Sequence, residues 1–518
     1  MIVYVHCAKC VGIDAVGVTV EVDIDNGVGL HLVGLADVAV KESLLRTVTA
    51  MQSCGFRIPG RKIVINLAPA DMHKQGTAYD LPIAIGIIAA SSQAQICNLD
   101  RFLLAGELGL DGGLRYVSGA LPLAEYAANA GLGGCIFPRE SAVEAAGLID
   151  IPVYAADNIN DVLRILSEDG PPPELLAERC QVPAEVPPRE YMDFSEIIGQ
   201  EGAKRAMEIA AAGGHNICMI GPPGSGKSSL AKALAGILPP MTEKETLVTS
   251  KIYSVAGKGG SRHGVMTSRP FRCPHISASM SAMLGGGSGD NIIPGEVSLA
   301  NAGVLFLDEY CEAPKNVLEA LRSPLEDRMV TISRLKAKVS YPASFMLVAA
   351  SNPCPCGYYG EGDRCTCTAG MRSGYLSKLS GPVMDRIDLQ VWLHPVPPSA
   401  LVNRQKSESS AAVAARVLRA REIQARRFAG EGIQTNAEMS SRLIEKYCPL
   451  DAACSELTEK LMERLSLSAR AYTRIIKIAR TIADLSSGNS SEPLPLSPAH
   501  ITEASSYRFL DRRNILDM

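Results

Sequence analysis

The sequence of 518 residues predicts an α/β protein in three parts, and three observations lead to that prediction. Near the amino end, alternating Val18, Val20, Val22 and Ile24 indicate a half-buried strand, with helical spacing further along, as in a mixed α/β domain. The middle of the chain alternates strands with helices, which is the pattern of a parallel sheet. The carboxyl-terminal part has helical periodicity, interrupted by one polar loop over 486–497.

Prolines mark the predicted boundaries between these parts. Proline removes a backbone donor and disfavours helix in the residue before it, so proline-rich stretches are typical of linkers. Such stretches occur at 170–188 and at 395–398. We predict a first α/β domain at 1–165, a proline-rich linker at 166–192, a parallel-sheet domain at 193–398 and a helical domain at 399–518.

Charge and hydropathy exclude two classes of protein. Lys and Arg number 51 against 55 Asp and Glu, a net charge of -4, which excludes a uniformly basic coat for nucleic acid. The longest apolar run, 81–90, is roughly half of the 20 residues that a spanning helix needs. No secretory signal is apparent at the amino end, and the 15 cysteines are interpreted as reduced thiols. We expect a cytoplasmic protein that makes no membrane contact.

The strongest motif is Gly221-Pro-Pro-Gly-Ser-Gly-Lys-Ser228, which fits the phosphate-loop spacing G-x-x-x-x-G-K-[ST] in full. An apolar strand over 216–220 precedes it and a helical run follows, which is the context that this motif requires. Backbone N–H groups of the loop point at phosphate oxygens, Lys227 reaches the β- and γ-phosphates, and Ser228 ligates Mg²⁺. The predicted ATP-binding residues are Gly221, Pro222, Pro223, Gly224, Ser225, Gly226, Lys227, Ser228 and Ser229.

Two further strands end in polar residues. The apolar run 304–307 leads into Asp308 and Glu309. Asp308 would supply a carboxylate to the Mg²⁺ site, and Glu309 would orient or deprotonate the attacking water. The run 344–351 ends in Asn352, which could hold the same water or act only as a turn former before proline.

Together these elements resemble the AAA+ ATPases, and within them the magnesium-chelatase-like branch of ComM/YifB-type proteins. The resemblance extends over nearly the whole chain, and its most specific strings lie at 193–200, 214–216, 294–300, 351–357 and 379–388. It implies ATP hydrolysis with Mg²⁺ and assembly into a homo-hexameric ring, with a central AAA+ domain and a helical lid.

The resemblance also assigns catalytic roles. It implies that Asn352 is sensor 1 and that Arg386 is an arginine finger, which serves the ATP of the neighbouring subunit. A surface ion pair with an adjacent aspartate is the alternative for Arg386. Sensor 2 is assigned to Arg470, with Arg474 as the competitor one turn further on. The predicted catalytic residues are Lys227, Glu309, Asn352, Arg386 and Arg470.

The first domain is similar to the proteolytic domain of Lon proteases, which has the fold of ribosomal S5 domain 2. That chemistry needs a serine activated by a lysine. Ala78 stands at the position of the serine and Leu121 at that of the lysine. We therefore predict a domain that serves binding or assembly, and no protease activity.

A basic hairpin and a basic helix are the predicted contacts with DNA. The run 330–341 indicates two short strands around a tip with Arg334, Lys336 and Lys338, which would face the pore of the ring and touch phosphates without reading sequence. The alternative is a solvated edge that resists aggregation. The Arg-rich stretch 401–430 suits a solvated or intersubunit surface, or nucleic acid.

Four cysteines form a pattern C-x-C-x₈-C-x-C on one Gly-rich loop. Four thiolates can surround Zn²⁺ tetrahedrally, so Cys354, Cys356, Cys365 and Cys367 are candidate zinc ligands. The alternative is a loop with four reduced cysteines.

The leading functional hypothesis is an ATP-driven ring motor on single-stranded or branched DNA, a helicase that promotes branch migration in recombination or natural transformation. Recombination or DNA-uptake proteins would be its partners. One alternative is the motor subunit of a magnesium chelatase, although the resemblance implies that such motors lack the first domain. Another is a nucleotide-switched protein scaffold or remodeller.

Overall fold

The structure is a computed structural model with side chains. It describes residues 2–35, 37–178, 191–259, 265–287, 292–334, 338–379, 383–397, 399, 407–465, 467–488 and 494–511.

The amino-terminal part is a mixed seven-stranded sheet covered by helices, with strand order β3-β4-β2-β1-β5-β8-β9. The seven strands of this sheet are β1 Val3–Val11, β2 Asp14–Asp25, β3 Leu30–Val33, β4 Lys62–Ala68, β5 Phe102–Leu104, β8 Gly134–Pro138 and β9 Val153–Ala156. A separate two-stranded sheet consists of β6 Glu107–Leu108 and β7 Leu114–Arg115. The helices of this part are α1 Val38–Ser53, α2 Asp80–Ala90, α3 Ala120–Asn129, α4 Arg139–Ala145 and α5 Ile159–Ile165.

The predicted alternation in β2 is confirmed. Val18, Val20 and Val22 are buried, because every second side chain of a strand points to the same face. Helix α2 lies on that face at Gly86, where an added Cβ would come within 2.7 Å of a methyl carbon of Val22. The glycine therefore permits the close approach of helix and sheet.

The beginning of the predicted linker packs on this first sheet. Residues Pro173–Leu175 form a short 3₁₀ turn, and Leu175 is buried in the core of the first part. A bridge between Tyr154 of β9 and Leu176 continues the contact. The described residues thus extend the first folded part at least to Leu176.

The central part is a five-stranded sheet of parallel strands, in the order β11-β14-β17-β10-β18. Its strands are β10 Ile217–Ile220, β11 Phe271–Arg272, β14 Val304–Leu307, β17 Met346–Ser351 and β18 Leu389–Trp392. Two further pairs of strands lie outside this sheet: β12 Gly285–Gly286 pairs with β13 Ile293–Pro294, and β15 Met329–Ser333 pairs with β16 Lys338–Pro342. The helices of this part are α6 Glu201–Gly213, α7 Lys227–Gly236, α8 Glu243–Val255, α9 Met280–Leu284, α10 Glu296–Leu299, α11 Lys315–Ala320, α12 Arg322–Asp327 and α13 Ala369–Leu376.

Both faces of this sheet are buried, which explains the continuous apolar runs of its strands. Met219 and Val348 face a core shared with α6, α7 and the carboxyl-terminal helices. Cys218 and Leu347, one residue away on the same strands, face a second core beneath the β15–β16 hairpin. The sequence predictions of strands before the phosphate loop, at 304–307 and at 344–351, are confirmed.

The carboxyl-terminal part is helical, as predicted. Its helices are α14 Ser410–Arg427, α15 Ser441–Tyr447, α16 Ala452–Leu465, α17 Ala469–Ser486 and α18 Pro498–Ser506. Ile475, Ile478 and Ile482 form the buried stripe of α17, and they share one hydrophobic core with α6 and the central sheet. The carboxyl-terminal helices are therefore joined to the central part by burial of apolar surface.

Three arginines of the basic helix α14 make contacts inside the chain. Arg416 pairs with Glu208 of α6 at 2.5 Å, Arg421 donates to the carbonyl of Ala211 at 3.1 Å, and Arg427 pairs with buried Asp484 of α17 at 2.5 Å. These side chains connect helices, so they are not a free surface for nucleic acid. Two other arginines of the same helix, at 419 and 426, are exposed.

The first part docks on helix α8 of the central part. Lys251 of α8 contacts Asp14 at 2.9 Å and Glu125 at 2.6 Å, and the backbone N–H of Gly119 donates to the carbonyl of Ser254 at 3.1 Å. Within the described ranges, no helix combines the length and the low polarity that crossing a membrane would take.

Candidate active site

The parallel register brings three loops together at one edge of the central sheet. Ile220 of β10 pairs with Ser351 of β17, and Leu307 of β14 pairs with Ala349 of β17. The carboxyl ends of these strands therefore coincide, and the phosphate loop, Asp308 and Asn352 follow directly from them. Such an edge is where ligands bind in open parallel sheets.

The ammonium of Lys227 lies over the phosphate loop. It donates to the carbonyls of Gly221 and Pro222 at 2.6 and 2.9 Å and to Oδ1 of Asn352 at 3.2 Å. Burial lowers the pKa of Lys227, since a charged amine loses hydration there. Gly226 precedes the helix with φ 91°, a left-handed conformation that favours glycine. This loop offers N–H groups and one cation to phosphate oxygens.

Ser228 and Asp308 form the candidate magnesium site. The Ser228 hydroxyl donates to Oδ2 of Asp308 at 2.9 Å, and the backbone N–H of Glu309 donates to Oδ1 at 2.9 Å. A hydroxyl and a carboxylate at the phosphate edge are oxygen ligands of the kind that Mg²⁺ prefers, so the residues fit this ion. Glu309 is exposed, and its φ of 48° is an uncommon conformation that often occurs at functional sites.

A junction at Asn216 connects this edge with the arginine segment. The side chain of Asn216 accepts from the N–H of Leu347 at 2.8 Å and donates to the carbonyl of Arg386 at 2.9 Å. Its own carbonyl accepts from the N–H groups of Asp388 and Leu389, both at 3.0 Å. One residue thus fixes three strands of the sheet.

His215 extends the junction to the helical lid. Its imidazole contacts Asp388 at 3.1 Å and the hydroxyl of Thr481 in α17 at 2.8 Å, and the ring is fully buried. The string 214–216 belongs to the family resemblance, but the sequence alone indicates no role for it. The partners are more than a hundred residues away in sequence, so only the fold reveals the contacts.

Arg386 and Arg470 lie at the opposite edge of the sheet. Arg386 precedes β18, whose Leu389 pairs with Ile217 at the beginning of β10, whereas the phosphate loop follows the end of β10. Arg386 is ion-paired with Glu326 of α12, not with the adjacent aspartates considered from the sequence. Burial lowers its pKa, and the nearby positive charges of Arg322, Arg470 and Arg474 lower it further.

The two candidates for sensor 2 have different partners. Arg470 is exposed and contacts Asp385 at 2.9 Å, whereas Arg474 is largely buried and contacts Asp388 at 3.4 Å. Both arginines therefore neighbour the Arg386 segment rather than the phosphate loop of the same chain.

The predicted basic hairpin is present as β15 and β16, in antiparallel register. Arg334 and Lys338, at the described ends next to its tip, are exposed. Lys336 lies outside the described residues.

The four cysteines of the C-x-C-x₈-C-x-C pattern come together. Their sulfur atoms all lie within 4.8 Å of one another, and the Cys354 sulfur is 3.3 Å from that of Cys356 and 3.8 Å from that of Cys365. A hydrogen bond from the backbone of Tyr358 lowers the pKa of Cys356 to about 6, which favours a thiolate. Cys354 and Cys367 are buried.

A cavity of about 950 Å³ adjoins the phosphate loop, and sequence analysis did not find it. Gln200, Pro222, Tyr359, Trp392 and Phe509 contribute to its walls. The ring centroids of Tyr359 and Trp392 are 6.5 Å apart, and those of Trp392 and Phe509 are 6.0 Å apart, both edge to face. These aromatic residues come from distant parts of the sequence, so no local pattern indicated the cavity.

Three family models match successive parts of the chain. The model described as "Magnesium chelatase, subunit ChlI" matches residues 193–401, "Subunit ChlI of Mg-chelatase" matches 20–141, and "Magnesium chelatase, subunit ChlI C-terminal" matches 407–508.

Two relatives are similar over almost their full length. The protein named "Competence protein ComM" from Haemophilus influenzae is 42% identical over 514 residues, 98% of this chain and 97% of the relative. A Salmonella typhimurium protein named YifB is 42% identical over 512 residues, with the same coverage. A "Magnesium-chelatase subunit ChlI" from Guillardia theta is 26% identical over 188 residues, which cover 32% of this chain and 53% of the relative.

Proposed function

This chain belongs to the ComM/YifB-type, magnesium-chelatase-like family of AAA+ ATPases, and from that premise we propose that it is a hexameric ring motor that hydrolyses ATP to move along DNA. The observation that carries the proposal is the separation of two catalytic sets, with the phosphate loop at one edge of the sheet and Arg386 at the other. A site divided in this way is complete only between two subunits.

The first set binds and activates ATP. Lys227 would exchange its carbonyl partners for phosphate oxygens. Ser228 and Asp308 would hold Mg²⁺, which would supply positive charge beside the phosphates. Glu309 accepts a proton from the attacking water, and Asn352, already in contact with Lys227, orients that water toward the γ-phosphate. The aromatic cavity beside Pro222 has room for the nucleobase.

The second set serves the neighbouring subunit. Strand β10 from Ile217 to Ile220 alone spans about 10 Å at roughly 3.3 Å per residue. Arg386 precedes β18, whose first residue, Leu389, pairs with Ile217 at the amino end of β10. Arg386, with Arg470 and Arg474 close by, presents guanidinium groups that suit the phosphates of an adjacent protomer. Head-to-tail contacts of this kind close into rings, and we propose a homo-hexamer.

DNA is the proposed substrate because two basic side chains, Arg334 and Lys338, are exposed on the β15–β16 hairpin of the central part. Arg334 and Lys338 would contact backbone phosphates, as would Lys336, which lies outside the described residues. The name of the Haemophilus influenzae relative connects that protein with competence. We propose helicase or branch-migration activity on single-stranded or branched DNA in the cytoplasm, during recombination or transformation and with recombination or DNA-uptake proteins as partners.

We propose that the first domain has the Lon-like fold and that it serves assembly or partner binding. Ala78 lines a cavity of about 630 Å³ between this domain and strand β16, where a nucleophile would be needed for proteolysis. Leu121 is fully buried and offers no amine. A structural Zn²⁺ in the four-cysteine cluster completes the proposed cofactors, beside ATP and Mg²⁺.

A magnesium-chelatase motor is the second candidate function. The match to the Guillardia theta subunit favours it, but that match covers 32% of this chain. The relatives that match almost the whole chain are a ComM and a YifB protein, which are not named as chelatase subunits, so we propose the ring motor on DNA first.

The experiment that tests the proposal measures ATP hydrolysis with and without single-stranded and branched DNA, beside strand displacement on a forked duplex. We expect DNA to stimulate hydrolysis, Lys227→Ala to abolish it, and Arg334→Ala/Lys338→Ala to lose the stimulation while keeping the basal rate. The control is Lys315→Ala/Lys460→Ala, which removes two exposed lysines elsewhere. The DNA motor would be refuted if a confirmed hexamer hydrolyses ATP at a rate that DNA does not stimulate and does not unwind the forked duplex.

A further inference from the structure

The sulfur atoms of the cysteine cluster have the spacing of ligands to a single ion. Zinc–sulfur bonds of about 2.3 Å place the four sulfurs of a tetrahedron about 3.8 Å apart. The observed separations are 3.3 Å for Cys354 to Cys356, 3.8 Å for Cys354 to Cys365 and 3.7 Å for Cys356 to Cys365, and Cys367 completes the group within 4.8 Å. A multinuclear iron–sulfur cluster would need its thiolates spread around several metal atoms, which this close packing excludes.

The loop that carries these thiols is continuous with the catalytic residues. Cys354 is two residues beyond Asn352, whose side chain accepts from Lys227. Gly357 lies so close to the phosphate loop that an added Cβ would be 3.0 Å from Cδ and Cγ of Pro223. The first pair of cysteines therefore adjoins two parts of the ATP site.

The same loop supplies one wall of the proposed nucleobase cavity. Tyr359, Gly360 and Glu361 line that cavity, and they lie between the two C-x-C pairs. The Tyr359 ring meets Trp392 edge to face, and the Arg372 guanidinium lies 4.4 Å from the centroid of the Tyr359 ring. Any displacement of the loop would change this wall.

The described backbone-to-backbone hydrogen bonds of the loop stay within the loop itself. Its backbone bonds are local turns, from Gly357 to the carbonyl of Cys354 and from Glu361 to that of Tyr358. Gly357, Gly360 and Gly362 all have positive φ, and glycines raise the entropy that ordering must overcome. A metal ion bound at both ends of such a loop would restrain it, as metal binding is coupled to folding in small sites.

We propose that Cys354, Cys356, Cys365 and Cys367 bind one Zn²⁺, and that this ion holds the Tyr359 wall in place, so that zinc occupancy sets the affinity for nucleotide. The zinc site stands on the thiol geometry alone. Its effect on affinity rests on the proposed ATPase function.

The test uses the full-length protein, purified under reducing, anaerobic conditions. We expect elemental analysis to find one zinc and no iron per chain. Cys356→Ser/Cys365→Ser should lose the zinc, and calorimetry should show ADP bound about tenfold more weakly, the loss expected when an aromatic contact to a base is removed. Cys97→Ser, which removes a thiol of the first part, should retain both zinc and affinity.

Two measurements keep the test decisive where the cysteine variant does not fold. A zinc chelator applied to the wild-type protein should weaken ADP binding, with recovery on adding Zn²⁺ but not Mg²⁺, and Trp392, the single tryptophan, should report both steps by its fluorescence. Tyr359→Ala should retain zinc yet bind ADP as weakly as the zinc-free protein.

Two results would overturn the proposal in different ways. Wild-type protein without zinc would remove the metal site. A zinc-free protein that binds ADP as tightly as the zinc-bound form would remove the coupling, while leaving the ATPase proposal intact. If the zinc-bound wild type binds no nucleotide at all, the coupling fails together with the ATPase proposal, and that outcome is distinguishable from the other two.

Discussion

A divided ATP site predicts that two inactive variants restore each other's activity. Lys227→Ala destroys the phosphate site of its own subunit but leaves Arg386 available to a neighbour. Arg386→Ala does the reverse. The structure puts the two residues at opposite edges of one sheet, separated by at least the roughly 10 Å length of β10. In the proposed ring, each would therefore belong to a different interface.

The expected magnitudes follow from this arrangement. Loss of an arginine finger costs roughly 10³ in kcat, which corresponds to about 4 kcal/mol of transition-state stabilisation. Each variant alone should therefore hydrolyse ATP about a thousandfold more slowly than wild type, or not at all. In rings assembled from an equal mixture, an interface is active when one subunit has an intact phosphate loop and its neighbour has an intact Arg386. Each condition holds for about half of the subunits, independently of the other. About a quarter of the wild-type rate should return.

The assay is steady-state phosphate release from co-assembled rings, with two affinity tags to establish that the rings are mixed. The control combines Lys227→Ala with Glu309→Gln. These residues adjoin the same edge of the same sheet, so no interface in that mixture contains a complete site, and no activity should return. Mixed rings that stay inactive, or an isolated protomer that retains full activity after Arg386→Ala, would refute the divided site.

The remaining predictions concern buried charges. The hydrogen bond from His215 and nearby cations hold the pKa of Asp388 at about 2 although burial opposes it. A carboxyl group whose pKa is lower in the folded than in the unfolded state, where it is about 3.9, stabilises the fold when the pH is above that value. This contribution of about 2 kcal/mol should be lost as the pH falls from about 5 to about 2. Urea unfolding followed by circular dichroism measures it. Asp388→Asn should remove this part of the pH dependence, and an unchanged profile would contradict the ion pair. Arg427→Met leaves the buried Asp484 short of one cation and should cost about 3 kcal/mol in the same assay, against about 0.5 kcal/mol or less for exposed Arg426→Met. Equal losses of unfolding free energy in the two variants would show that the buried pair stabilises the fold no more than an exposed arginine does.

The sequence predicted those parts of the fold that depend on local patterns. Apolar runs at 217–220, 304–307 and 346–351 are buried on both faces, and such runs are readable as strands without knowledge of their neighbours. The glycines and the lysine of the phosphate loop are likewise recognisable from spacing alone. The residues at the carboxyl ends of these strands were therefore expected at one edge, and the parallel register brings them there.

Contacts between distant segments could not be predicted in this way. The partner of Arg386 is Glu326, and nothing in the sequence distinguishes that glutamate from the aspartates beside the arginine. Arg416 and Arg427 belong to the Arg-rich stretch for which the sequence predicted a solvated surface, a subunit contact or a nucleic-acid contact. In the structure, both form ion pairs with acidic residues of neighbouring helices. Helical periodicity shows which residues share a face but not what covers that face.

The junction at His215 and Asn216 connects the two halves of the divided site within one subunit. Asn216 is the residue before the strand that carries the phosphate loop, and its side chain holds the carbonyl of Arg386 and the backbone of β17, the strand that ends at Asn352. His215 binds Asp388 and reaches Thr481 of the lid helix. Buried, fully bonded polar groups of this kind resist independent movement, because breaking one contact leaves unsatisfied groups away from water. A shift of β10 caused by the nucleotide in one site would therefore move the arginine that the same subunit offers to the next site. A ring that hydrolyses ATP in sequence would need a rigid connection between these two edges, and this junction provides a covalent and hydrogen-bonded path between them.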